Sequence, residues 1–186
     1  ARRATARAGS PAELGAMARA LRHRGPDESG FHADARVGLA HTRLSIVDLA
    51  GGQQPLSNED DSIWVTFNGE IFDWVETRAR LESRGHRFRT RSDTEVIVHA
   101  YEEWGEGAFE RFNGQFAIGL WDAKRETLVL ARDPFGIRPL YVCEHEGRVL
   151  FASEVKAIFA ADASIPRAID RAGLDETFTF WGPLAP

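Results

Sequence analysis

The second half of the chain carries strand-like segments joined by turns that are too short to hold a helix. Residues 115–121 and 127–132 are rich in aliphatic and aromatic side chains and predict a β-hairpin. Residues 140–143 and 149–153 predict a second hairpin, which turns through Glu146-Gly147. Parallel strands would need crossover connections of about a dozen residues or more. These segments therefore restrict this part of the chain to antiparallel sheets.

Helical periodicity falls between and around the strand segments. The predicted helices are residues 11–21, 73–84, 94–104, 106–112 and 155–160. Residues 87–90 predict a short strand, and residues 51–61 predict a long polar loop. Because two helices stand between strand runs and the strands mostly pair through short turns, the order predicts an α+β fold with helices packed on antiparallel sheets.

A strand predicted at residues 62–67 ends in Asn68-Gly69-Glu70. An amide side chain and an unhindered backbone N–H would stand together there, and two such donors can stabilise the oxyanion of an acyl-transfer reaction. Asn-Gly is also the commonest short hairpin signal. On the dipeptide alone, a β-turn is the favoured interpretation.

Composition excludes several classes of protein. The 186 residues predict one domain with a substantial core, and the net charge of −5 provides no basic surface for nucleic acid. No apolar run has the length of a membrane span. Cys143 is the single cysteine, which rules out an internal disulfide and fits a reducing cytoplasm.

Other candidate residues are scattered along the chain. Arg43 has the planar fork that binds carboxylates, although a structural salt bridge is the simpler interpretation. Asp93 could hold an ammonium group or cap a helix, and the cap is favoured. The six histidines form no closely spaced pair of the metal-ligand type, so we predict no metal site. Cys143 lies in an apolar strand and is interpreted as a packing residue. Together, Arg43, Asp93 and Asn68-Gly69 would suit an amino acid with a side-chain carbonyl.

Five motifs occur in one order along the chain. They are RHRGPD (22–27), HTRLSIVD (41–48), NGEIF (68–72), SDTE (92–95) and RDPFGIRPLY (132–141). In these motifs the chain resembles the glutaminase domain of glutamine-hydrolysing asparagine synthetase, a class II glutamine amidotransferase with the N-terminal-nucleophile hydrolase fold. The resemblance runs from about residue 14 to residue 186 and implies a four-layer α/β/β/α sandwich of two antiparallel sheets.

The resemblance implies a site that hydrolyses L-glutamine to glutamate and ammonia. Arg43 would bind the α-carboxylate of glutamine, Asp93 would bind its α-ammonium group, and Glu70 would help to hold that end. The Asn68 side chain and the Gly69 N–H would form the oxyanion hole. The implied substrate-binding residues are Arg43, Leu44, Ile46, Val47, Glu70 and Asp93.

The resemblance also implies a domain organisation. Residues 1–186 would form one amidotransferase domain, and residues 175–186 would begin the connection to a C-terminal synthetase domain of the same polypeptide. That second domain would activate aspartate with ATP and magnesium, whereas the first would need no cofactor or metal. We expect a cytoplasmic protein without nucleic-acid or membrane partners, and a homodimer stays open as an alternative to a monomer.

The chain departs from the family at the nucleophile. Members begin, after removal of methionine, with Cys-Gly-Ile, whose thiolate attacks the amide and whose α-amine acts as base. This sequence begins at Ala1, and neither Ala1 nor Cys143 can replace that cysteine. We therefore expect the first strand and its nucleophile upstream of Ala1, and no glutamine hydrolysis by residues 1–186 alone. Two alternatives are a non-catalytic scaffold, as in β-lactam synthetase, and a glutaminase that serves a different acceptor.

Overall fold

The computed structural model describes residues 8–44 and 52–182. The helices are α1 (Pro11–Leu21), α2 (Trp74–Glu82), α3 (Asp93–Trp104), α4 (Val155–Ala161) and α5 (Arg171–Phe180), with a 3-10 helix at Gly105–Arg111. The strands are β1 (Glu28–Ala33), β2 (Gly38–Arg43), β3 (Leu56–Ser57), β4 (Ile63–Ile71), β5 (Gly114–Asp122), β6 (Thr127–Arg132), β7 (Tyr141–His145) and β8 (Arg148–Ala152).

Every strand pairing in the described part of the chain is antiparallel, as the short turns predicted. One sheet has the order β3-β4-β5-β6, and β1-β2 and β7-β8 form two further hairpins. The β5–β6 hairpin pairs Asp122 with Thr127, and the β7–β8 hairpin pairs His145 with Arg148 across Glu146-Gly147. Both predicted hairpins are thus confirmed.

Three apolar clusters divide the molecule into four layers. The largest lies between the four-stranded sheet and the helices α2 and α3, with Phe67 and Ile118 on the sheet side and Ile97 on the helix side. A second packs β8 against α4, with Met17 of α1 against it. The third holds the sheets face to face, where Leu39 meets Trp121. The resulting order of layers is helix, sheet, sheet, helix, with the two hairpins forming the second sheet layer.

The strand β4 does not end at Asn68, which corrects the sequence interpretation. It runs through to Ile71, and Asn68 and Gly69 pair with Ala117 and Phe116 of β5. A Cβ atom on Gly69 would lie 2.0 Å from the Gln115 carbonyl oxygen, so the glycine permits the close approach of the two strands. The turn interpretation of Asn-Gly is therefore wrong.

Residues 87–90 form no strand, contrary to the prediction. The buried Glu95 carboxylate accepts hydrogen bonds from the backbone N–H groups of Arg89 at 2.8 Å and Thr90 at 2.7 Å. The Glu95 carboxylate lies on α3 and accepts the hydrogen bonds that a neighbouring strand would otherwise accept. The loop between α2 and α3 is thus held by a side chain rather than by a sheet.

Three further segments refine the predictions. Ser10 and Glu13 form a reciprocal capping box at the start of α1, whose bounds match the prediction. The predicted loop at residues 51–61 contains the short strand β3, with Leu56 buried. The helix α5 was not predicted.

A membrane span requires a helix of sufficient length and apolar character. Of the helices within residues 8–44 and 52–182, none has both.

Candidate active site

A cavity of about 620 Å³ opens between the sheet layers at the ends of β2 and β4. This volume falls within the range of about 300–1,000 Å³ that is usual for small-molecule sites. Six of the residues implied by the family resemblance line it: Arg43, Leu44, Asn68, Gly69, Glu70 and Asp93. Ile46 and Val47, the other two, lie outside the described residues. Residues from three separate elements thus share one cavity.

Asn68 provides a hydrogen-bond donor that nothing in the described part of the chain accepts. Its Nδ2 atom is buried and has no partner among those residues. A buried, unpaired amide donor costs about 1–3 kcal/mol, so it is favourable only where a ligand acceptor can satisfy it. The position of Asn68 inside β4 holds its backbone by pairing with Ala117, which fixes the side chain at the cavity wall.

Arg43 is buried at the end of β2. Its side chain is 9% exposed, and its Nη1 donates a hydrogen bond to Oε2 of Glu28 at 3.2 Å. Glu28 lies directly opposite Arg43 in the β1–β2 pairing. The salt-bridge interpretation is therefore correct for this residue, and the same ion pair fixes the guanidinium at the cavity. A second anion, such as a ligand carboxylate, is compatible with the delocalised charge of arginine.

Asp93 is not the helix cap that the sequence favoured. Ser92 caps α3 by accepting a hydrogen bond from the Thr94 N–H, and Asp93 occupies the first turn. One Asp93 oxygen accepts a hydrogen bond from the Ile71 N–H at 3.1 Å. Burial, and to a smaller degree the nearby Glu70 carboxylate, raise the pKa of Asp93. Two carboxylates at one end of a cavity favour the binding of a cation.

The arrangement places a cationic group, two carboxylates and an amide donor around one space. Residues 3–185 match the family model of the glutamine amidotransferase domain. The chain belongs to this family.

The chain is similar to the N-terminal quarter or less of several curated enzymes. It is 48% identical over 147 residues to asparagine synthetase [glutamine-hydrolyzing] 2 of Bacillus subtilis, covering 79% of this chain and 19% of that protein. It is 50% identical over 143 residues to asparagine synthetase [glutamine-hydrolyzing] 2 of Oryza sativa subsp. japonica, covering 76% of this chain and 24% of that protein. These relatives confirm the resemblance seen in the sequence motifs.

A solved structure supports the fold. The glutamine phosphoribosylpyrophosphate amidotransferase of B. subtilis, in a complex with ADP and GMP, superimposes with a TM-score of 0.64. The match covers 82% of this chain and 41% of that chain at 21% sequence identity. At this identity the likeness speaks for the fold alone, and it confirms the predicted sandwich of antiparallel sheets and helices.

Gln54 is a cavity residue of the amidotransferase domain that the sequence analysis missed. Its Oε1 accepts a hydrogen bond from the Phe67 N–H at 2.6 Å, and its Nε2 donates to Thr94 Oγ1 at 3.2 Å. It therefore ties β4, next to Asn68, to the start of α3, next to Asp93. A glutamine in a polar loop carries no local signal of such a role, because both partners are distant in sequence.

Cys143 does not reach the cavity. It lies in β7 and packs against the apolar cluster of β8, α1 and α4. The interpretation of this residue as a packing residue agrees with that position. The amidotransferase cavity consequently receives no thiol from the described residues.

The loop after β6 is organised by one buried carboxylate. Asp133 accepts hydrogen bonds from the backbone N–H groups of Phe116, Phe135, Ile137 and Arg138 at 2.9–3.2 Å. Its side chain thus joins the loop to β5, which pairs with β4. Arg138, held in this way, lines the cavity. The motif at residues 132–141 therefore has the scaffolding role that its proline and glycine residues suggested.

His41 is expected to make the domain less stable in mild acid. Burial, and to a smaller degree the Arg43 charge, together lower the pKa of His41 to about 4. The unfolded chain binds this proton near pH 6.5, so stability is lost as the pH falls from 6.5 toward 4. Between pH 7 and pH 5 the loss from this residue alone is roughly 2 kcal/mol.

Urea unfolding of His41→Asn at pH 7 and pH 5 measures this contribution. The asparagine amide can keep the hydrogen bond that His41 Nδ1 makes with Thr66 Oγ1 at 3.1 Å. The variant should lose less stability than the wild type between the two pH values. His145→Asn is the matched control, because that ring lies at the surface against Ser164. An equal acid loss in wild type and His41→Asn would contradict a His41 that stays neutral in the folded protein.

Proposed function

We propose that this domain binds L-glutamine in the cavity and hydrolyses it to glutamate and ammonia. The observation that carries the proposal is the buried Nδ2 of Asn68, which has no partner among residues 8–44 and 52–182 and lies on the same cavity as Arg43 and Asp93. Glutamine has a group for each of them: a carboxylate for Arg43, an ammonium group for Asp93 and a side-chain carbonyl oxygen for Asn68. Membership of the glutamine amidotransferase family supports the same substrate.

The proposed chemistry is amide hydrolysis through a covalent intermediate. A thiolate attacks the side-chain amide carbon, and the carbonyl oxygen becomes an oxyanion that Asn68 Nδ2 and the Gly69 N–H stabilise. The C–N bond then breaks, the nitrogen takes up a proton and departs as ammonia, and a thioester between the cysteine and the glutamyl group remains. Water hydrolyses the thioester to glutamate and restores the thiol. Arg43, Asp93 and Glu70 hold the α-carbon end of the substrate while this happens.

The nucleophile would enter the cavity between β2 and β8. Gly38 and Ala40 of β2 and Leu150 and Ala152 of β8 also line the cavity. Within residues 8–44 and 52–182, β2 pairs only with β1, and β8 pairs only with β7. A strand that carries an N-terminal cysteine could therefore lie between these two edges. This position would bring its thiol toward Asn68.

The ammonia would serve a larger enzyme. We propose that it feeds ATP-dependent asparagine synthesis from aspartate in a C-terminal domain of the same polypeptide, which would hold ATP and magnesium. The similarity to asparagine synthetases, of which this chain spans a quarter or less, supports this proposal. The exposed apolar side chains Phe135, Phe178 and Trp181 provide surface for such a neighbouring domain.

A cytoplasmic location is part of the same proposal. The presence of a single cysteine, which cannot form an internal disulfide, supports it.

Asp93→Asn is expected to weaken glutamine binding by about 10–100-fold, since a charge-assisted hydrogen bond to the ammonium group is lost. Glutamine binding by the wild type needs Asp93 in its ionised form. The pKa of Asp93 is raised above the usual 3.8, so glutamine binding should be lost as the pH falls through this raised pKa. Calorimetry with the protein of the complete gene measures the dissociation constant of glutamine at each pH. In Asp93→Asn the dissociation constant should no longer rise at acid pH.

Two controls separate the alternatives. L-Glutamate and D-glutamine should bind poorly at millimolar concentration, and Asp175→Asn on the exposed helix α5 should bind glutamine like the wild type. No heat with L-glutamine would favour a non-catalytic scaffold. Glutamine hydrolysis without aspartate-dependent ATP consumption would instead point to a different acceptor of the ammonia.

A further inference from the structure

Two histidines and a glutamate meet on the outer side of α3, away from the amidotransferase cavity. His86 lies in the loop after α2, whereas His99 and Glu102 lie on α3 itself. None of the three lines the cavity. The sequence predicted no metal site because the two histidines are not closely spaced along the chain. Folding brings them together through the loop that Glu95 holds.

The ligand atoms lie at distances that suit one small cation. The Glu102 Oε2 atom is 2.8 Å from His99 Nδ1 and 3.5 Å from His86 Nδ1. One ligand atom from each residue fits within a mutual distance of 4.8 Å. Zinc binds nitrogen and oxygen at about 2.0–2.2 Å in a tetrahedron, which separates neighbouring ligands by about 3.3 Å. The two separations from Glu102, 2.8 Å and 3.5 Å, lie on either side of that value.

Each of the three side chains also has a partner on its far side. His86 Nε2 is 3.3 Å from Glu103 Oε2, and His99 Nε2 is 3.7 Å from Glu95 Oε1. Glu102 Oε1 accepts a hydrogen bond from Asn58 Nδ2 at 2.8 Å. Carboxylates on the second ring nitrogen orient histidine ligands and fix the nitrogen that faces the metal. The cluster therefore has an outer shell that would orient all three ligands.

The cluster is open to solvent on the side of His86 and Glu102. The His99 side chain is 1% exposed, and its ring packs against Phe88 in a T-shaped arrangement with centroids 4.6 Å apart. The side chains of His86 and Glu102 are 16% and 24% exposed. Solvent thus reaches the cluster across these two residues. A water molecule on that side could complete four-coordination.

We propose that His86, His99 and Glu102 form a structural zinc site that clamps the loop after α2 to the helix α3. Imidazole nitrogen with one carboxylate is a donor set that suits zinc and disfavours magnesium or calcium, which prefer oxygen alone. The clamp would stabilise α3, whose first turn carries Asp93 in the cavity. The site stands independently of the proposed glutaminase function, since none of its residues contacts the cavity.

Zinc titration of the tag-free protein tests the site. After removal of metal with a chelator, calorimetry with zinc chloride should show one bound equivalent and a higher melting temperature. Cobalt(II) should produce the visible absorption bands of a four-coordinate ion. Magnesium chloride at the same concentration should change neither readout.

Two variants avoid the buried His99 and so limit the risk of unfolding. His86→Ala and Glu102→Gln should each weaken zinc binding by at least about tenfold and abolish the zinc-dependent rise in melting temperature. His145→Ala is the matched control, because this surface histidine contacts Ser164 instead of the cluster. It should bind zinc like the wild type.

Two results would overturn the proposal. One is the absence of saturable zinc binding by the folded wild type, which would make the cluster a network of hydrogen bonds and ion pairs only. The other is one-equivalent binding that survives both His86→Ala and Glu102→Gln, which would place the ion elsewhere. Circular dichroism of each variant confirms that the loss of binding is not a loss of folding.

Discussion

Asn68→Ala is expected to lower kcat for glutamine hydrolysis by about 10²–10³-fold, the usual effect of removing one oxyanion-hole donor. The protein of the complete gene should keep a KM close to that of the wild type, because the donor acts mainly on the charge that develops in the transition state. The Nδ2 atom is buried and unpaired among the described residues, so its removal takes away no existing hydrogen bond there. The melting temperature should therefore change little.

This combination distinguishes a catalytic donor from a structural one. Asn68→Asp keeps the shape of the side chain but replaces the donor by a negative charge, so its kcat should fall below that of Asn68→Ala. Asn113→Ala serves as the matched control, because Asn113 is exposed and its backbone makes the contacts with Phe72 and Asp73. A normal kcat with a much lower melting temperature in Asn68→Ala would show that Asn68 supports the strand instead.

Local sequence signals predicted the parts of the fold that local chemistry determines. The helix α1 begins directly after Ser10 because the side chains of Ser10 and Glu13 form a capping box there. The β7–β8 hairpin turns at Gly147, which has a φ of +74° that glycine adopts without strain. In both cases the residues that decide the structure are neighbours in the sequence.

The errors arose where distant residues decide the local structure. The Asn-Gly dipeptide by itself predicts a turn, but β5 pairs with both residues and extends β4 through them. The sequence at residues 87–90 predicts a strand, but the Glu95 carboxylate accepts hydrogen bonds from its backbone N–H groups. Pairing with a distant strand or side chain is a tertiary effect that overrides local preference. No window of sequence around either segment contains the partner.

The candidate site shows the same division. Residue types and motif order predicted Arg43, Asn68 and Asp93, but periodicity could not place them on one cavity. The bridge formed by Gln54, and the meeting of His86 with His99, depend on contacts between separate elements. The role of Ser92 as the cap of α3 matters as well. It leaves the Asp93 carboxylate to the cavity and to the Ile71 N–H.

Asp133→Ala is expected to destabilise the domain by at least about 3 kcal/mol, because four backbone donors would lose a buried charged acceptor. Burial alone would raise the pKa of Asp133, but hydrogen bonds from the Arg138, Ile137, Phe116 and Phe135 N–H groups outweigh it and keep the pKa low. A lowered carboxyl pKa contributes stability above the pKa of the unfolded chain and loses it as the pH falls.

Urea unfolding at pH 7 and at pH 4 tests both parts of this expectation. Asp133→Ala should shift the midpoint strongly at pH 7, and the gap to the wild type should narrow at pH 4, where the wild type begins to lose the charge contribution. Asp133→Asn should also be destabilised, because its amide offers one acceptor and places N–H groups against backbone donors. Asp60→Ala is the matched control, since the partners of Asp60 are the exposed Lys124 side chain and the Ser62 backbone N–H. The expectation is contradicted if the urea midpoint of Asp133→Ala is as high as that of Asp60→Ala. In that case the loop at residues 132–141 holds its conformation without the Asp133 carboxylate, and its proline and glycine residues suffice to position Arg138 at the cavity.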